Sequence, residues 1–391
     1  MNQWKLTIFI ALSFSSGLCS SFQASEVGFP VARVKSTPKN FFFLKQNIKL
    51  IKKKDVIKEL RDFVRCCRPN RMVGSTGHAK VADFLVKKIR DLDKDIKNVV
   101  YIEDFKPDID HAKKLYEKDF KEEIEDVYQK TNPLYKKWRG FTDSMLGALE
   151  KRRGLKGRNV VWEKKGNLAP NELIIIGAHY DTIANDPKTL LIQEEANMPG
   201  ADDNGSGVAV SLSLIQILSK MDLPKTVRVV FFDWEELGFL GSRAYVSQHR
   251  KEFKDKKFLG YINLEMLGND SKVNDKEKRY GNMKLYIRKK GAAGHELDKR
   301  LAERLLPMGK KAQPSIKFEL LANSFKSSDH ASFWNKGLAA VTFTQNWESD
   351  FNRSRYHTSN DFVETVNART LYRAYTFIGG AVGALAFDFL P

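Results

Sequence analysis

Cysteine is scarce in this sequence, which contains three cysteines among 391 residues. Two of them, Cys66 and Cys67, are adjacent, and adjacent cysteines bridge only through a strained ring. The count excludes a small domain held together by a network of disulfide bonds. We expect the adjacent pair to be free thiols packed in a helix.

Long hydrophobic runs are also missing, apart from one near the start of the chain. Residues 6–18 are apolar with small polar interruptions, Lys5 precedes them, and small residues follow, which is the pattern of a signal peptide at 1–24. This run is short for a membrane span, and so is the apolar C-terminal segment 374–390, which contains Asp388. The sequence predicts an exported protein, periplasmic or extracellular, without stable membrane insertion after signal removal.

Acidic residues are too few to balance the basic ones, since 48 Asp and Glu against 66 Lys and Arg leave a formal net charge of +18. Such a balance can indicate nucleic acid, an anionic membrane surface or acidic peptides as a partner. The sequence has no nucleic-acid-binding motif, and no aromatic residues alternate with the basic runs. We therefore interpret the excess as a solvated lysine-rich surface and expect no nucleic-acid partner. The oligomeric state stays open.

The order of apolar runs and helical patterns predicts an α/β protein. Short, largely apolar runs suit strands that are buried on both faces of a sheet. They occur at 173–176, 227–232, 259–264 and 338–343. Helical stretches alternate with them, at 207–220, 238–250, 294–306 and 369–390. This alternation predicts a three-layer α/β/α sandwich with a mixed, mostly parallel central sheet.

The first part of the chain is organised differently. An N-terminal lead-in covers 25–54 and looks extended up to about residue 50, and one domain covers 55–391. Within that domain, the charged segment 108–155 separates two strand-like segments at 98–105 and 158–163. Because its apolar residues recur at helical spacing, we predict a helical insertion there.

Acidic residues and histidines fall mainly where the strand-like runs end. Active sites of parallel α/β folds lie at the carboxyl ends of the strands, so these side chains are expected to meet. In chain order they are His179, Asp181, Asp203, Glu235, Glu236, Glu265 and His357.

These residue types are those of a metal site. Zinc binds neutral imidazole and carboxylate oxygen, and a catalytic zinc keeps one position open for water. Two zinc ions about 3.5–4 Å apart need a bridging carboxylate, and Asp203 lies on a Gly-rich turn where the backbone can approach closely. Of the adjacent pair Glu235 and Glu236, one can ligate metal while the other takes a proton from water. Asp181 can fix the tautomer of His179.

Together the motifs resemble those of a known enzyme family. They are Gly-Ala-His-Tyr-Asp-Thr from Gly177, Gly-Ala-Asp-Asp-Asn-Gly-Ser-Gly from Gly200, Asp-Trp-Glu-Glu-Leu-Gly from Asp233, Ser-Asp-His from Ser328 and Tyr-His-Thr-Ser-Asn-Asp from Tyr356. They are similar to those of the zinc-dependent exopeptidases that include bacterial leucyl aminopeptidases, glutamate carboxypeptidase and glutaminyl cyclase. The resemblance is strong over about 172–367, weak over about 55–105 and absent in the insertion.

The resemblance implies two zinc ions per chain and a role for each residue. Glu235 would be the general base, Asp181 would orient His179, and Tyr356 would donate a hydrogen bond to the developing oxyanion. Asp329 and Asp361 would support the ligands. The implied metal ligands are His179, Asp203 as the bridge, Glu236, Glu265 and His357.

One position departs from the family pattern, because the family usually has Asp where this chain has Glu265. The extra methylene moves the carboxylate by more than about 1 Å, since a carbon–carbon bond is about 1.5 Å long. We keep Glu265 as a ligand, and occupancy of the second zinc site stays open.

The implied function is that of an exported zinc aminopeptidase, which hydrolyses N-terminal residues from peptides through a metal-activated water. A glutaminyl-cyclase-like acyl transferase with one zinc and a carboxypeptidase of the same family are the alternatives within the resemblance. A binding protein that retains zinc for structure is the alternative outside catalysis. The zinc count, the products from a glutamine-led peptide and the effect of Glu235→Gln separate these functions.

Overall fold

The computed structural model describes residues 38–271 and 282–390 of the chain. The predicted signal peptide at 1–24 lies outside the described residues. The α-helices within them are α1 (Pro38–Ile48), α2 (Lys53–Cys66), α3 (His78–Leu92), α4 (Ile109–Phe120), α5 (Pro133–Lys151), α6 (Gly207–Leu218), α7 (Leu240–Gln248), α8 (Arg250–Asp255), α9 (His295–Ala312), α10 (His330–Trp334) and α11 (Ala368–Phe387). The strands are β1 (Val99–Phe105), β2 (Gly157–Lys164), β3 (Ala169–His179), β4 (Lys225–Phe232), β5 (Lys257–Leu264), β6 (Met283–Ile287), β7 (Phe318–Ala322) and β8 (Ala340–Thr344).

One eight-stranded sheet forms the middle layer, in the order β1-β2-β4-β3-β5-β8-β6-β7. The pairs β4–β3, β3–β5, β5–β8 and β6–β7 are parallel. The pairs β1–β2, β2–β4 and β8–β6 are antiparallel. Parallel pairs therefore outnumber antiparallel ones, and the prediction of a mixed, mostly parallel sheet is confirmed.

Helices cover both faces of the sheet because the central strands are apolar on both sides. Successive side chains of a strand point to opposite faces, and Ile174 and Ile176 of β3 join the core beneath α2, α6 and α11. Leu173 and Ile175 join a separate core on the other face, together with Phe253 of α8. Two cores on either side of one sheet confirm the predicted three-layer sandwich.

The predicted helical insertion is confirmed, and it packs onto the rest of the domain. It consists of α4, a π-helical turn (Lys121–Glu125) and α5, and it joins β1 to β2. Phe120 and Trp138 of the insertion share an apolar cluster with Ile183, Trp234 and Leu237. The last three lie in the loops after β3 and β4, so the insertion packs against the carboxyl edge of the sheet.

The extended character predicted for the lead-in is wrong over 38–48, where the chain forms α1. Phe41, Leu44 and Ile48 are spaced to lie on one helical face, and all three are buried. Phe41 packs edge to face against Phe389 beyond α11, and the hydroxyl of Tyr375 donates to the carbonyl of Ile48. Contact with α11 supplies the apolar surface that makes this short helix stable.

The prediction of free thiols is also wrong, because Cys66 and Cys67 form a disulfide. The reason is that α2 ends at Cys66, and Cys67 leaves the helical conformation with φ −128° and ψ 38°. The two cysteines therefore do not share a continuous helix.

Helix α11 packs as a terminal helix within the domain. Its apolar residues from Phe377 to Ala386 are almost all buried. Among the described residues, none of the helices has both the length and the apolarity that crossing a membrane requires.

Candidate metal centre

The carboxyl edge of the sheet gathers the predicted ligands from separate segments. His179 is the last residue of β3, Glu236 follows β4, and Glu265 directly follows β5. Because β3, β4 and β5 are parallel neighbours, their carboxyl ends meet at one edge. Asp203 comes from the kinked turn Ala201–Ser206 before α6, and His357 comes from the loop after β8.

Two imidazoles lie on either side of one carboxylate. The Nε2 atom of His179 lies 3.3 Å from Oδ1 of Asp203 and 3.2 Å from Oε1 of Glu265. The Nε2 atom of His357 lies 3.2 Å from Oδ2 of Asp203 and 3.0 Å from Oε2 of Glu236. The structure thus brings together all five predicted ligands, and Asp203 presents one oxygen to each histidine.

This arrangement fits a metal. Ligand atoms about 2 Å from a tetrahedral ion lie roughly 3.3 Å from one another, close to the separations observed between these side chains. Ligand atoms of His179, Asp203 and Glu236 lie within 4.8 Å of one another, and so do those of His179, Glu235 and Glu265. Glu235, which is predicted as the base, is therefore as close to the centre as a ligand.

Orphaned polar atoms give a second, independent indication. The buried atoms Nδ1 of His179 and Oε1 of Glu236 have no hydrogen-bond partner among the described residues. Buried polar groups are nearly always hydrogen-bonded, since leaving one without a partner costs about 1–3 kcal/mol. A bound cation would compensate the carboxylate oxygen of Glu236.

The electrostatics of the cluster favour positive charge at its centre. Burial raises the pKa of Glu236 to about 7. Burial acts in the same direction on Asp203, but its bonds to His179 and His357 outweigh burial and lower its pKa. Burial opposes a charge on His357, yet Glu236 and Asp203 outweigh it and raise the His357 pKa to about 10. Acids that stabilise a protonated imidazole would also stabilise a divalent cation.

Glu235 lies next to the cluster without facing both histidines. One carboxylate oxygen, Oε2, lies 3.9 Å from Nε2 of His179. Its pKa is raised well above the ordinary value of a glutamate, chiefly by burial. Its main-chain N–H donates to Asp181 at 3.0 Å, and that of Glu236 donates to the same carboxylate at 3.1 Å.

Asp181 therefore holds the loop of the two glutamates. Its Oδ1 lies 3.7 Å from Nδ1 of His179, which is longer than a hydrogen bond. Asp361 plays a comparable part on the other side, because it accepts from the main-chain N–H groups of Asp202 and Asp203 at 2.9 Å each. Both acids thus hold, through main-chain N–H groups, a loop that carries predicted site residues.

Glu265 reaches His179 despite its extra methylene. Its second carboxylate oxygen, Oε2, accepts a 2.6 Å hydrogen bond from Ser328. Ser328 in turn accepts from the amide of Asn263 at 2.8 Å. These bonds fix the longer side chain with one oxygen directed at His179. The serine belongs to the Ser-Asp-His motif, and sequence reasoning gave it no role.

Tyr356 and Asp329 lie close to the cluster. The ring of Tyr356 stacks on His357, with centroids 3.7 Å apart, and contacts Trp347 and Phe351 edge to face. Asp329 is fully buried, and burial raises its pKa to about 8. The roles predicted for Tyr356 and Asp329 stay predictions.

Three of the seven non-glycine residues with positive φ in the described part of the chain lie next to the predicted site residues or among them. Trp234, Met266 and His357 have φ values of 57°, 47° and 54°, which non-glycine residues seldom adopt. Trp234 precedes the predicted base, Met266 follows a predicted ligand, and His357 is itself a predicted ligand. Strain of this kind persists where surrounding contacts enforce it, commonly at functional sites.

Besides Ser328, two residues near the cluster were missed by sequence reasoning. Nε2 of His78 lies 2.7 Å from Oδ1 of Asp233, which also accepts from the main-chain N–H of Trp234. Arg71 is buried behind the loops that carry His179 and Asp203. A lone arginine or histidine in a loop has the sequence signal of a surface residue, so the motifs alone did not identify them.

Comparison with known proteins places these features in a family. The model of "Peptidase family M28" matches residues 159–381. The chain is 28% identical over 231 residues to aminopeptidase YwaD of Bacillus subtilis (strain 168), covering 58% of this chain and 44% of that protein. It is 28% identical over 225 residues to leucine aminopeptidase 1 of Uncinocarpus reesii, and the match covers 56% of this chain and 52% of that protein. The chain thus spans about half the length of these curated relatives.

Solved structures share the fold at lower identity. The LapA aminopeptidase of Legionella pneumophila aligns with a TM-score of 0.61 and 15% identity, over 95% of this chain and 80% of that one. Glutaminyl cyclase of Porphyromonas gingivalis aligns with a TM-score of 0.56 and 18% identity, over 85% of this chain and 98% of that one. The fold alone therefore does not separate hydrolysis from cyclisation.

The family model covers more than half of the chain, including every predicted ligand. The resemblance that the motifs indicate is thereby confirmed. The chain belongs to peptidase family M28.

Proposed function

We propose that this protein is a zinc aminopeptidase that removes N-terminal residues from peptides. The observation that carries the proposal is the position of Asp203 between two histidines, with Glu235 beside them. Membership of the family and the relatives named as aminopeptidases support it. The chain spans about half the length of those relatives, so we infer its activity and substrate from its own residues as well.

Five residues would hold two zinc ions. His179 and Glu265 would bind one ion, Glu236 and His357 the other, and Asp203 both. The opposite directions of the two Asp203 oxygens support this division. When bound, zinc would supply Lewis-acid activation of water and of the peptide carbonyl.

Glu235 would move the proton. Its side chain is largely buried beside His179, and its loop is held by Asp181. It would accept a proton from the attacking water and deliver it to the amine that leaves. A carboxyl group whose pKa is raised by burial can release that proton again near neutral pH. The Tyr356 hydroxyl would donate to the oxyanion from its place against His357.

A panel of aminoacyl reporter substrates tests the function. Zinc-reconstituted protein should hydrolyse at least one of them, and a chelator should stop the reaction. One zinc per chain, together with pyroglutamyl product from a glutamine-led peptide, would favour the acyl transferase instead. Zinc-loaded protein that hydrolyses no member of the panel would favour a binding function.

Export to the periplasm or the medium is part of the proposal. The sequence pattern at 1–24 supports it, and so does the disulfide between Cys66 and Cys67, since disulfides persist mainly in oxidising compartments. Mass spectrometry of the protein recovered from each cell fraction tests it. A chain that begins near residue 25 outside the cytoplasm is expected, and an intact chain confined to the cytoplasm would contradict it.

A further inference from the structure

Arg71 binds two loops of the candidate metal centre at once. Its guanidinium donates through Nε to the carbonyl of Tyr180 at 2.7 Å, through Nη1 to that of Pro199 at 2.6 Å, and through Nη2 to that of Gly200 at 2.8 Å. The residue is 1% exposed. Three donors in a rigid, planar fork fix the relative positions of the groups that they contact.

Those carbonyls belong to the main chain that carries predicted ligands. Tyr180 lies directly between His179 and Asp181, and Gly200 precedes Asp203 by three residues. The main chain of Arg71 strengthens the first attachment, because its N–H donates to the hydroxyl of Thr182 at 2.9 Å. One residue therefore links the His179 loop to the Asp203 turn.

The surroundings of Arg71 are shaped to hold it. The face of its guanidinium lies 4.6 Å from the ring centroid of Phe63 in α2. Gly200 has φ +56°, and a Cβ atom there would lie 2.7 Å from Nη2 of Arg71. The glycine thus permits both the left-handed backbone and the close approach of the guanidinium.

Arg71 also supplies buried positive charge next to the site. Burial lowers its pKa to about 10, against the opposing effect of Asp361, Asp203, Asp181 and Glu236. It therefore stays protonated at neutral pH. It faces the cluster from behind the loops, where it compensates part of the acidic charge without occupying the centre.

We propose that Arg71 is a positioning residue that sets the placement of His179 relative to Asp203, and through them the zinc affinity of the site. This inference deepens the proposed function and rests on it for the identity of the metal. Arg71 acts through the carbonyls of Tyr180, Pro199 and Gly200.

The test compares Arg71→Lys with a matched control, Arg288→Lys. Arg288 is also buried, donates to the carbonyls of Ala293 and Leu338 at 2.9 Å each, and lies over Trp334. It differs from Arg71 in that its guanidinium also pairs with Asp298. It follows β6, which runs antiparallel to β8, so it lies at the opposite edge of the sheet. Lysine keeps the charge at both positions and removes the fork.

Zinc affinity is measured on the full chain by competition with a chromophoric chelator, alongside kcat, KM and urea unfolding. Arg71→Lys should weaken zinc binding by about 10- to 100-fold, the range for residues that orient metal ligands. Its kcat, measured at subsaturating zinc, should fall with the zinc occupancy, while KM stays within about threefold of the unmutated value. Arg288→Lys should change the urea midpoint but leave zinc affinity within about twofold.

Equal zinc affinity in Arg71→Lys and the unmutated chain would overturn the inference. So would an equal loss in both lysine variants. If Arg71→Lys does not fold, Phe63→Leu removes the ring against the guanidinium and should weaken zinc binding by about two- to fivefold, about the magnitude of a cation–π contact. Unchanged zinc binding there would also overturn it. Because zinc affinity is read without a substrate, a chain that hydrolyses nothing would refute the proposed function and leave this result interpretable.

Discussion

Buried acids are paired with arginine or lysine at the amino edge of the central sheet but cluster around histidines at its carboxyl edge. At the amino edge, Asp298 lies 2.7 Å from Arg288, and Lys225 contacts Asp388 and, at 3.4 Å, Glu172. At the carboxyl edge, the acids surround two histidines, and several of their oxygens have no hydrogen-bond partner among the described residues. A buried acid needs a compensating partner. The chain supplies that partner at the amino edge, whereas at the carboxyl edge a bound metal would compensate the oxygens that have none.

This contrast separates stability from function. Disrupting the amino edge should destabilise the fold while sparing the metal centre, because its ion pairs are complete within the chain. Disrupting the carboxyl edge should abolish activity first.

Removing the metal is the strongest way to break the carboxyl edge. Dialysis against a chelator should abolish hydrolysis completely, and added zinc should restore it. Loss of a ligand present at about 1,000 times its dissociation constant should lower the free energy of unfolding by about 4 kcal/mol, measured by urea titration. Full hydrolysis after exhaustive chelation would contradict the account.

Glu235→Gln removes the base and keeps the shape of the side chain. We expect kcat to fall by about 10²- to 10⁴-fold, the usual contribution of general acid–base catalysis. Zinc content should not change, because the five predicted ligands remain. Glu303→Gln, on the surface of α9 with a side chain 58% exposed, is the matched control and should behave like the unmutated enzyme. A Glu235→Gln variant with normal kcat would remove Glu235 from the mechanism.

Asp298→Asn breaks the amino edge instead. It leaves the buried guanidinium of Arg288 without its carboxylate, at a cost of about 3–5 kcal/mol in unfolding free energy. Zinc affinity and kcat should stay within about twofold of the unmutated values at a temperature where the variant is folded. A selective loss of zinc binding would show that the two edges are not independent.

A pH titration tests a third kind of buried charge, the histidine His249 paired with two glutamates. Burial opposes a charge on His249, but its bonds to Glu103 and Glu252 outweigh burial and raise its pKa to about 9. An unfolded histidine titrates near 6.5. The stabilisation is therefore complete below about pH 6.5 and is lost as the pH rises through about 9.

In urea titrations, unfolding free energy should fall by on the order of 2 kcal/mol between pH 6.5 and 9.5 in the unmutated chain. His249→Gln removes the titrating group, so the unfolding free energy of this variant should not show that fall with pH. Identical slopes for both proteins would refute the assignment.

The central strands and the helices between them could be predicted, because short apolar runs and helical spacing mark them in the sequence. The run Leu173–Ile176 is apolar on both faces because both faces are covered, and it ends close to His179. The short strands β6 and β7 were not predicted. Lys284 and Glu319 interrupt their apolar character, and these two side chains pair with each other across the strands. Helix α1 was missed because the exposed Phe42 and Phe43 obscure the helical spacing of its buried apolar residues.

The same division applies to the candidate site. Its acids and histidines lie in short motifs, so they could be identified from spacing and from the family resemblance. Arg71 could not, because its partners Tyr180, Pro199 and Gly200 lie 109, 128 and 129 residues away along the chain. The burial of a cation by distant carbonyls is a tertiary property that leaves no local pattern.

The most direct test of the account is the number of zinc ions bound per chain. Mass spectrometry of metal content after dialysis against buffered zinc should give two ions in the unmutated chain and in Glu235→Gln, and fewer in Asp203→Asn, where the bridge is lost. A single ion in the unmutated chain, or full zinc content in Asp203→Asn, would contradict a paired centre built around Asp203.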